Sequence, residues 1–526
     1  MGIYFNPMNE SFRKDTRNQI YIDKTELLTY LNKLIGGSDN CVSVSHARRF
    51  GKSQAAGMID AYYSLGNDSR ELFSEFKISK DKDFLTHLNK YNVIHLDISS
   101  FTDFYKGDLI EKIFQVLYRE MKEAIPNLID SNNTISTILM DAYHKTGAPF
   151  VIIIDEWDCV VRNHSDQPEL VHEYLQFLHA IFKSEESKSF LALAYITGIL
   201  PIKKIKDESA LNNFVEYTML KSKPLTRYFG FTEEEVIDLC KKYAMDFESV
   251  KEWYDGYEID GMSMYNPNSV YRAMVSHDLD SYWKNTSAFD TINTFITLNY
   301  DGLKDDILKM LSGSHIEVDT TTFKNDISSI SSRDEALTAL IHLGYLGFDS
   351  EMSEAYIPNF EVSLAYQSAL STGEWKEIAK TISQCDKLLR ATIRKDEEKV
   401  AELVELAHEA YTSILKYNDE NALSCAITMA YFTAPAYYNI IRELPSGKGY
   451  ADLAFIPRNN AGQRPAMIIE LKWDKSADSA IRQIKEKRYS GKLSGYGDKI
   501  LLVGINYNKD SNNKKHECVI EEYHFS

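Results

Sequence analysis

Hydrophobic residues in the first 200 positions fall in short continuous runs and do not alternate with polar ones. The runs are Cys41–Ser45, Asn92–Ser99, Phe150–Asp158 and Phe190–Gly198. A strand that is covered by helices on both sides has this pattern, because both of its faces are buried. Helical stretches separate the runs. The pattern therefore predicts an α/β fold with a parallel sheet.

The pattern changes after residue 220. Helical segments broken by aromatic-rich turns follow, and Thr232 with Glu235 forms a capping box that predicts a helix after Phe231. Strand-like runs return after Asn439. We therefore predict three domains: an α/β domain with a parallel sheet at 1–220, a helical middle domain, lid-like or winged-helix-like, at 221–380, and a second α/β domain at 381–526.

A long amphipathic helix is predicted near the start of the third domain, over Glu397–Tyr417. Its apolar face comprises Leu403, Leu406, Ala407, Tyr411, Ile414 and Leu415.

The composition excludes some classes of protein. The chain has 526 residues, 44% of them hydrophobic and 26% charged, with no apolar run long enough to span a bilayer. Its first residues are polar, so we expect a cytoplasmic protein without a membrane partner. The net charge of −18 argues against a surface that coats nucleic acid throughout, but it leaves room for a local basic groove. The six cysteines show no metal-binding spacing, which predicts reduced thiols.

The segment "VSHARRFGKSQ" has the layout of a phosphate-binding loop. Gly51, Lys52 and Ser53 follow a predicted strand and precede a predicted helix, whose N-terminus would face an anion. In G-x-x-x-x-G-K-[ST] the first glycine falls on His46, so half of the signature is missing. A turn that occurs there by chance is the alternative.

Two acids at the end of an apolar strand strengthen the nucleotide hypothesis. Val151–Ile154 run directly into Asp155 and Glu156. In such a strand the aspartate holds Mg²⁺, through water or together with Ser53, and the glutamate orients a hydrolytic water. The two segments together predict ATP and Mg²⁺ as cofactors. The predicted nucleotide-binding residues are Arg48, Arg49, Gly51, Lys52, Ser53, Gln54 and Asp155.

Near the C-terminus, two carboxylates and a lysine are placed to share one face of a sheet. Glu470 and Lys472 are two residues apart on one predicted strand, and Asp452 lies on the strand before it. Such a trio suits a hydrolytic metal site in which Asp452 and Glu470 bind Mg²⁺ and Lys472 orients or deprotonates the attacking water. A structural salt bridge between Glu470 and Lys472 is the alternative.

An ordered set of motifs gives the chain a family resemblance. The motifs are "YIDKTELL", "RRFGKS", "IIIDEWD", "TGIL", "FGFTEEEV", "WYDGY", "YNPNSV" and "YWKNTS". In this order they resemble the predicted AAA-ATPase-like proteins that are widespread in bacteria. Those proteins commonly carry a C-terminal nuclease domain of the PD-(D/E)xK superfamily, which Asp452 and the Glu470–Lys472 motif also resemble. The family's loop is usually rich in arginine, and Arg48 and Arg49 fit that habit.

The resemblance implies further site residues. Asp23 and Lys24 would lie near the nucleotide, and Thr197 would take a sensor-like place; capping and ladder roles are the alternatives. Glu420 would supply an extra metal-site acid, and Gln483 would face the nuclease site. Glu443 would be a ligand or the ion-pair partner of Arg442. The basic cluster of the following helix would contact phosphates or form a solvated face; its members are Arg482, Lys485, Lys487, Arg488 and Lys492.

These features predict an ATP-binding protein, an ATPase coupled to Mg²⁺-dependent cleavage of DNA or RNA. The alternative is a nucleotide-switched binding or signalling protein whose nuclease-like domain is inactive. The resemblance also implies a homo-oligomer, because such ATPases often complete their sites between subunits, and Arg227 is the candidate for an arginine finger.

Overall fold

The structure is a computed structural model in which the chain divides into two compact units. The first contains residues 1–283 and 317–361, and the second contains residues 284–316 and 362–526. The structure describes residues 2–104, 108–202, 211–282, 292, 294–295, 298–311, 314–323, 330–371, 385, 387–412, 427–428, 430–431, 434, 437–446, 449–457, 464–487, 493, 499–508 and 516–525. The predicted division at 220 and 380 stays a prediction.

A five-stranded parallel sheet forms the centre of the first unit. Its strands are β1 (Cys41–Ser45), β2 (Asn92–Asp97), β3 (Phe150–Asp155), β4 (Leu191–Gly198) and β5 (Val215–Thr218). They lie in the order β2-β3-β4-β1-β5, and each pair is parallel. The predicted α/β fold is therefore confirmed.

Strand β3 shows why continuous apolar runs are needed. All six of its residues are buried. Val151 and Ile153 pack into one hydrophobic core, whereas Ile152 and Ile154 pack into another. Successive side chains of a strand point to opposite faces, so the sheet has a core on each side. The run ends at Asp155, three residues earlier than the sequence analysis predicted.

Helices surround this sheet and continue into the segments after it. They are α1 (Glu10–Asp15), α2 (Glu26–Asn32), α3 (Lys52–Tyr63), α4 (Arg70–Phe73), α5 (Phe84–His87), α6 (Ile98–Phe104), α7 (Leu109–Ala124), α8 (Ile135–Thr146), α9 (Cys159–Asn163), α10 (Pro168–Phe182), α11 (Ser187–Phe190), α12 (Glu233–Tyr243), α13 (Phe247–Tyr254) and α14 (Pro267–Ser276). Helix α12 begins with the predicted capping box, in which the Thr232 hydroxyl accepts the Glu235 amide and the Glu235 carboxylate accepts the Thr232 amide.

Short strands accompany these later helices. They are β6 (Phe231–Thr232), β7 (Tyr257–Ile259), β8 (Met262–Tyr265), β9 (Ile316–Glu317), β10 (Gly347–Asp349) and β11 (Glu354–Tyr356). The helices of the same stretch and beyond are α15 (Leu303–Leu311), α16 (Arg333–Leu343), α17 (Phe360–Ser371), α18 (Glu397–Thr412) and α19 (Ala477–Glu486).

The second unit is built on a mixed five-stranded sheet. Its strands are β12 (Tyr438–Ser446), β13 (Gly449–Pro457), β14 (Ala466–Trp473), β15 (Lys499–Tyr507) and β16 (His516–His524). They lie in sequence order; only the pair β14–β15 is parallel among the described pairs. Helix α19 supplies the crossover that a parallel pair requires.

Helix α19 lies very close to β15. A Cβ atom on Gly504 would be 2.4 Å from the carbonyl oxygen of Ala477, so only glycine fits there. Helix α18 packs against β16. One residue of its predicted apolar face is wrong: Leu406 is 38% exposed, whereas Leu403 and Ala407 are buried. Residues 413–417 of the predicted helix lie outside the described residues.

None of the described helices has the length and apolar character that crossing a membrane requires.

Candidate functional sites

The predicted phosphate loop connects β1 to α3. Strand β1 ends at Ser45 and helix α3 begins at Lys52. Gly51 precedes the helix with φ of 87°, a left-handed conformation that glycine adopts without steric cost. The chain therefore makes the strand, turn and helix N-terminus that bind phosphate in nucleotide-binding proteins.

The side chain of Lys52 folds back over this loop. Its Nζ donates hydrogen bonds to the carbonyl oxygens of His46 and Ala47, each at 2.9 Å. Burial lowers the pKa of Lys52, and the nearby charges of Glu156 and Asp155 oppose this effect. The loop thus holds a buried cation whose hydrogen bonds are to neutral carbonyl groups.

His46 takes the place of the missing first glycine. It is fully buried, and its Nε2 lies 2.8 Å from the hydroxyl of Ser222. Burial, helped by the charge of Lys52, lowers the pKa of His46 to about 3. The ring is therefore neutral at neutral pH and adds no charge to the loop, which it fixes to the segment before α12.

The two loop arginines are exposed. Arg49 has φ of 69°, and its Nη1 donates a hydrogen bond to the carbonyl oxygen of Tyr282 at 3.1 Å. Arg48 accepts a hydrogen bond from Asn266 at its carbonyl oxygen. Their role as phosphate ligands stays a prediction.

A cavity of about 810 Å³ opens beside the loop. Predicted nucleotide-binding residues line it: Arg48, Arg49, Gly51, Lys52, Ser53 and Gln54. Its other walls include aromatic side chains that offer flat apolar surface, among them Tyr21, Tyr228 and Tyr271. Its volume is within the range of small-molecule sites.

Asp155 and Glu156, the two acids at the end of β3, have different environments. Asp155 is 5% exposed, and its Oδ1 accepts hydrogen bonds from the Thr197 hydroxyl and from the Glu156 amide, the latter at 3.0 Å. Glu156 follows in a left-handed turn with φ of 52°, and it lines the cavity. Burial raises the pKa of Glu156, and the charge of Lys52 opposes this rise. The turn separates an inner carboxylate from an outer one.

The oxygen atoms at this site suit Mg²⁺. The Ser53 hydroxyl is exposed at the start of α3, and the Asp155 carboxylate ends β3. Hard cations prefer such ligands. Ser53 lines the cavity and Asp155 is not among its lining residues, so their shared metal site stays a prediction.

Two residues at this site were missed by the sequence analysis. Arg162 donates hydrogen bonds from Nη2 to Glu156 at 3.2 Å and from Nε to Asp158 at 3.3 Å. Asp158 is completely buried. The spacing of Asp158 and Arg162, four residues apart, was the available signal, and α9 places them on one side of a helical turn.

The N-terminal motif residues make structural contacts. Asp23 accepts the Thr25 amide and hydroxyl and the Lys77 amide. Lys24 lines the cavity, and its Nζ lies 2.7 Å from Glu235 and from the carbonyl oxygen of Arg227. These contacts agree with the capping alternative for Asp23. The Arg227 side chain is exposed.

The C-terminal acids come together where β13 and β14 pair. The two strands are antiparallel, with Leu453 opposite Ile469. The next pair in that register is Asp452 opposite Glu470, and opposed residues point to the same face. The Asp452 carboxylate accepts the Leu471 amide at 2.7 Å.

Glu470 is the most deeply buried of these groups, with 1% exposure. Its Oε1 accepts hydrogen bonds from Lys472 Nζ at 3.0 Å and from the Gln483 amide. Its Oε2 is buried without a hydrogen-bond partner. Burial, followed by the negative charge of Asp452, raises the pKa of Glu470 to about 7.

The structure therefore brings together Asp452, Glu470, Lys472 and Gln483, and the orphaned oxygen of Glu470 fits a cation. Among the described residues no group of three or more His, Cys, Asp or Glu side chains is arranged to hold a metal ion. Glu420 lies outside the described residues. The pair with Lys472 also agrees with the salt-bridge alternative.

The structure describes only part of the predicted basic cluster, and its contacts with phosphates stay a prediction. Lys485 pairs with Glu521 at 2.5 Å. Arg482 is exposed, whereas Arg488 and Lys492 lie outside the described residues. Glu443 is exposed on β12, where the pairing with β13 skips it.

Comparisons with known proteins match both regions. Residues 10–206 match the family model described as "Predicted AAA-ATPase", and residues 418–517 match the model of the PD-(D/E)XK nuclease superfamily. A curated relative, "Uncharacterized protein in vnfD 5'region" of Azotobacter chroococcum mcd 1, is 21% identical over 513 residues, which are 93% of each chain.

Solved structures overlap with the chain at low similarity. The Aeropyrum pernix ORC2 protein is 12% identical, with a TM-score of 0.27 over 68% of this chain and 97% of its own. The replication initiator DnaA bound to AMPPCP and single-stranded DNA is 8% identical, with a TM-score of 0.25 over 69% of this chain and 90% of its own. The two family matches show what each region is similar to: residues 10–206 of this chain match the predicted AAA-ATPase family, and residues 418–517 match the PD-(D/E)XK nuclease superfamily.

Proposed function

We propose that the first unit binds and hydrolyses ATP with Mg²⁺, and that its nucleotide state controls cleavage of DNA or RNA by the second unit. The observation that carries the ATPase part is one cavity lined by Lys52, Ser53 and Glu156 beside the N-terminus of α3. The nuclease part rests on Asp452, Glu470 and Lys472 and on the superfamily match.

In the ATPase reaction Lys52 would exchange its two carbonyl partners for phosphate oxygens, a stronger charge-assisted interaction. Ser53 and Asp155 would hold the metal, which neutralises phosphate charge. Glu156 would accept a proton from the attacking water, because it lines the cavity while Asp155 is occupied by Thr197.

Calorimetry with ATP and Mg²⁺ tests the first part. Lys52→Ala should weaken binding by about 100-fold, because it removes a buried charge from the phosphate site. The matched control is Lys188→Ala, which removes an exposed lysine that pairs with Glu185. Equal affinity in wild type and Lys52→Ala would contradict the proposal.

Cleavage assays test the second part. Wild-type protein with Mn²⁺ should cleave at least one of single-stranded DNA, duplex DNA or RNA, and Asp452→Ala should abolish cleavage. Asp478→Ala, at an exposed acid in the first turn of α19, is the control. If ATP changes the cleavage rate of wild type but not of Lys52→Ala, the two activities are coupled.

A specific observation favours the second candidate function, a nucleotide-switched binding protein. The Asp452 carboxylate and Glu470 Oε1 already have protein donors, namely the Leu471 amide, Lys472 and Gln483. Carboxylates that accept hydrogen bonds from the protein can keep their arrangement without a bound metal ion. Nucleic-acid binding without cleavage, unchanged by Asp452→Ala, would support this function.

A further inference from the structure

Arg162 connects two parts of the first unit: the turn that contains Glu156 and, through Asp158, the residues that follow strand β4. Its guanidinium donates from Nη2 to Glu156 Oε2 and from Nε to Asp158 Oδ2. The side chain is only 11% exposed, yet it lines the cavity. A planar guanidinium presents its donors in a fixed fork, so the two carboxylates are held in one geometry.

Asp158 anchors this arrangement. It is completely buried, and its Oδ2 also accepts the amides of Ile199 and Leu200 at 3.2 and 3.1 Å. These amides directly follow β4. If the Asp158 carboxylate moved away from these donors, it would lose several hydrogen bonds at once while staying buried, which is energetically costly. Asp158 therefore fixes the position of the Arg162 guanidinium, which in turn restricts the orientation of the Glu156 carboxylate.

The hydrogen bond from Arg162 to Glu156 holds one carboxylate oxygen of Glu156 and leaves the other available. Among the described residues, Glu156 Oε1 has no hydrogen-bond donor, whereas Oε2 is held by Arg162. A glutamate has three rotatable side-chain bonds, and a general base must lie within hydrogen-bond reach of the proton that it accepts. Fixing Oε2 restricts where Oε1 can be.

We infer that Arg162 is a positioning residue for the hydrolytic water, acting through Glu156. This inference rests on the proposed ATPase function. The water oxygen forms a bond to the γ-phosphorus while the bond to the leaving ADP oxygen breaks, and the water proton passes to Glu156 Oε1 and then to phosphate or solvent. Arg162 fixes the accepting oxygen for that transfer and does not bond to the phosphate itself.

The charges around Glu156 support a specific role for Arg162. Positive charge reaches Glu156 from Lys52 and from Arg162. Once Lys52 is bound to phosphates, Arg162 is the cation that stays with Glu156 through its anchor on Asp158. A contact that served only to fill space would not need a guanidinium bonded to both acids.

Steady-state ATPase assays on the full chain test the inference. Arg162→Gln should lower kcat about 10- to 100-fold, with KM for ATP changed by less than about threefold, because misplacing a base affects chemistry more than binding. Arg162→Lys keeps the charge beside Asp158 but loses the fork, so its kcat should lie between those of Arg162→Gln and wild type. Arg119→Gln, at an exposed arginine of α7, is the control.

A double mutant separates positioning from a general loss of structure. If Arg162 acts through Glu156, adding Arg162→Gln to Glu156→Gln should cause no further loss of kcat. An additional loss of the same size as in wild type would overturn the inference, and so would a kcat of Arg162→Gln equal to that of Arg119→Gln. A rise in KM with unchanged kcat would make Arg162 a nucleotide ligand and would also overturn it.

Absence of ATP turnover in the wild type would overturn the proposed ATPase and the water-positioning role with it, and thermal melting then tests the contact between Arg162 and Glu156 by itself. Melting temperatures of wild type, Arg162→Gln, Glu156→Gln and the double mutant form a cycle without nucleotide. Non-additive shifts would show that Arg162 holds Glu156, whereas additive shifts would overturn that contact.

Discussion

The ATPase-like and nuclease-like sites place similar residues in different surroundings. In the first unit, Glu156 directly follows strand β3 beside a cavity, and the cations near it come from α3 and α9. In the second unit, Glu470 is 1% exposed and bonds to Lys472 of its own strand. The first site has an ion pair between Glu156 and Arg162 that borders a cavity, whereas the ion pair of the second site, Glu470 with Lys472, is buried within the protein. The helix N-terminus and Lys52 at the first site suit an anion, whereas the unpartnered Oε2 of Glu470 at the second site suits a cation.

Glu156→Gln should have the largest effect and would sharpen the comparison. We expect ATP turnover to fall about 100- to 1,000-fold, because the general base is lost. ATP affinity should change by less than about threefold, since Lys52 and Ser53 remain. Single-turnover hydrolysis and calorimetry measure the two quantities.

The matched variant is Asp155→Asn, which should weaken binding of ATP with Mg²⁺ more than Glu156→Gln does. Turnover of Glu156→Gln at the wild-type rate would assign Glu156 a structural role and remove the contrast with Glu470.

Two glycine variants compare how tightly the sites are packed. A Cβ on Gly504 would lie 2.4 Å from the Ala477 backbone, whereas one on Gly198 would lie 2.7 Å from side-chain atoms of Asp158 and Trp157. Backbone yields less than side chains, so Gly504→Ala should destabilise the second unit by about 3 kcal/mol and Gly198→Ala the first unit by less. Denaturant unfolding, monitored by hydrogen exchange in each unit, measures the loss of stability that each variant causes.

Gly57→Ala is the control for these variants. Its Cβ would be 3.6 Å from the Ser11 hydroxyl oxygen, an ordinary contact, and the residue lies inside helix α3. This change should leave the protein equally stable or raise its stability by about 0.5 kcal/mol. Equal effects of all three variants would contradict the packing argument.

The raised pKa of Glu470 predicts how stability depends on pH. Because its pKa is raised from 4.5 to about 7 by folding, the folded state prefers the protonated form. The contribution of this group to stability is complete below about pH 4.5 and is lost as the pH rises through 7. Glu470→Gln imitates the protonated form, so it should stabilise the metal-free protein by up to about 3 kcal/mol at pH 8 and by almost nothing at pH 4.

Urea unfolding at several pH values measures this difference. Asp452→Asn should lower the pKa of Glu470 and thereby flatten the same dependence, since the charge of Asp452 contributes to the rise. A stability difference between Glu470→Gln and wild type that is constant from pH 4 to pH 8 would contradict the assignment.

Metal binding should reveal the smallest of these effects, the release of a proton. At pH 6 Glu470 is mostly protonated, so binding of Mn²⁺ at the second site should release up to one proton; at pH 8.5 it should release almost none. Calorimetry in buffers of different ionisation enthalpy counts the protons. In Glu470→Gln, binding should weaken and the release should disappear. Release that is equal at both pH values would exclude Glu470 as the ligand that titrates.

Local sequence pattern determined much of the fold. The continuous apolar run of β3 predicted burial on both faces because a strand has a period of two, and Gly51–Lys52–Ser53 predicted the loop because phosphate binding needs a turn before a helix. The capping box at Thr232 could be predicted because it depends only on Thr232 and Glu235, which are three residues apart. In the second unit the two-residue spacing of Glu470 and Lys472 was sufficient to place both on one face of β14.

Tertiary structure decided the partners of these residues. The sequence could not show that His46 bonds to Ser222 or that Asp158 accepts the amides after β4. The place of Gln483 beside Glu470 was expected from the family resemblance, but the hydrogen bond between them is visible only in the fold. It also misplaced Leu406, because the apolar face of an amphipathic helix need not be completely covered by its neighbour. Periodicity encodes which side of an element is apolar, but hydrogen bonds and ion pairs between distant segments depend on how strands and helices pack. The roles of Arg162 and of the closed Glu470 pair therefore emerge only from the folded chain.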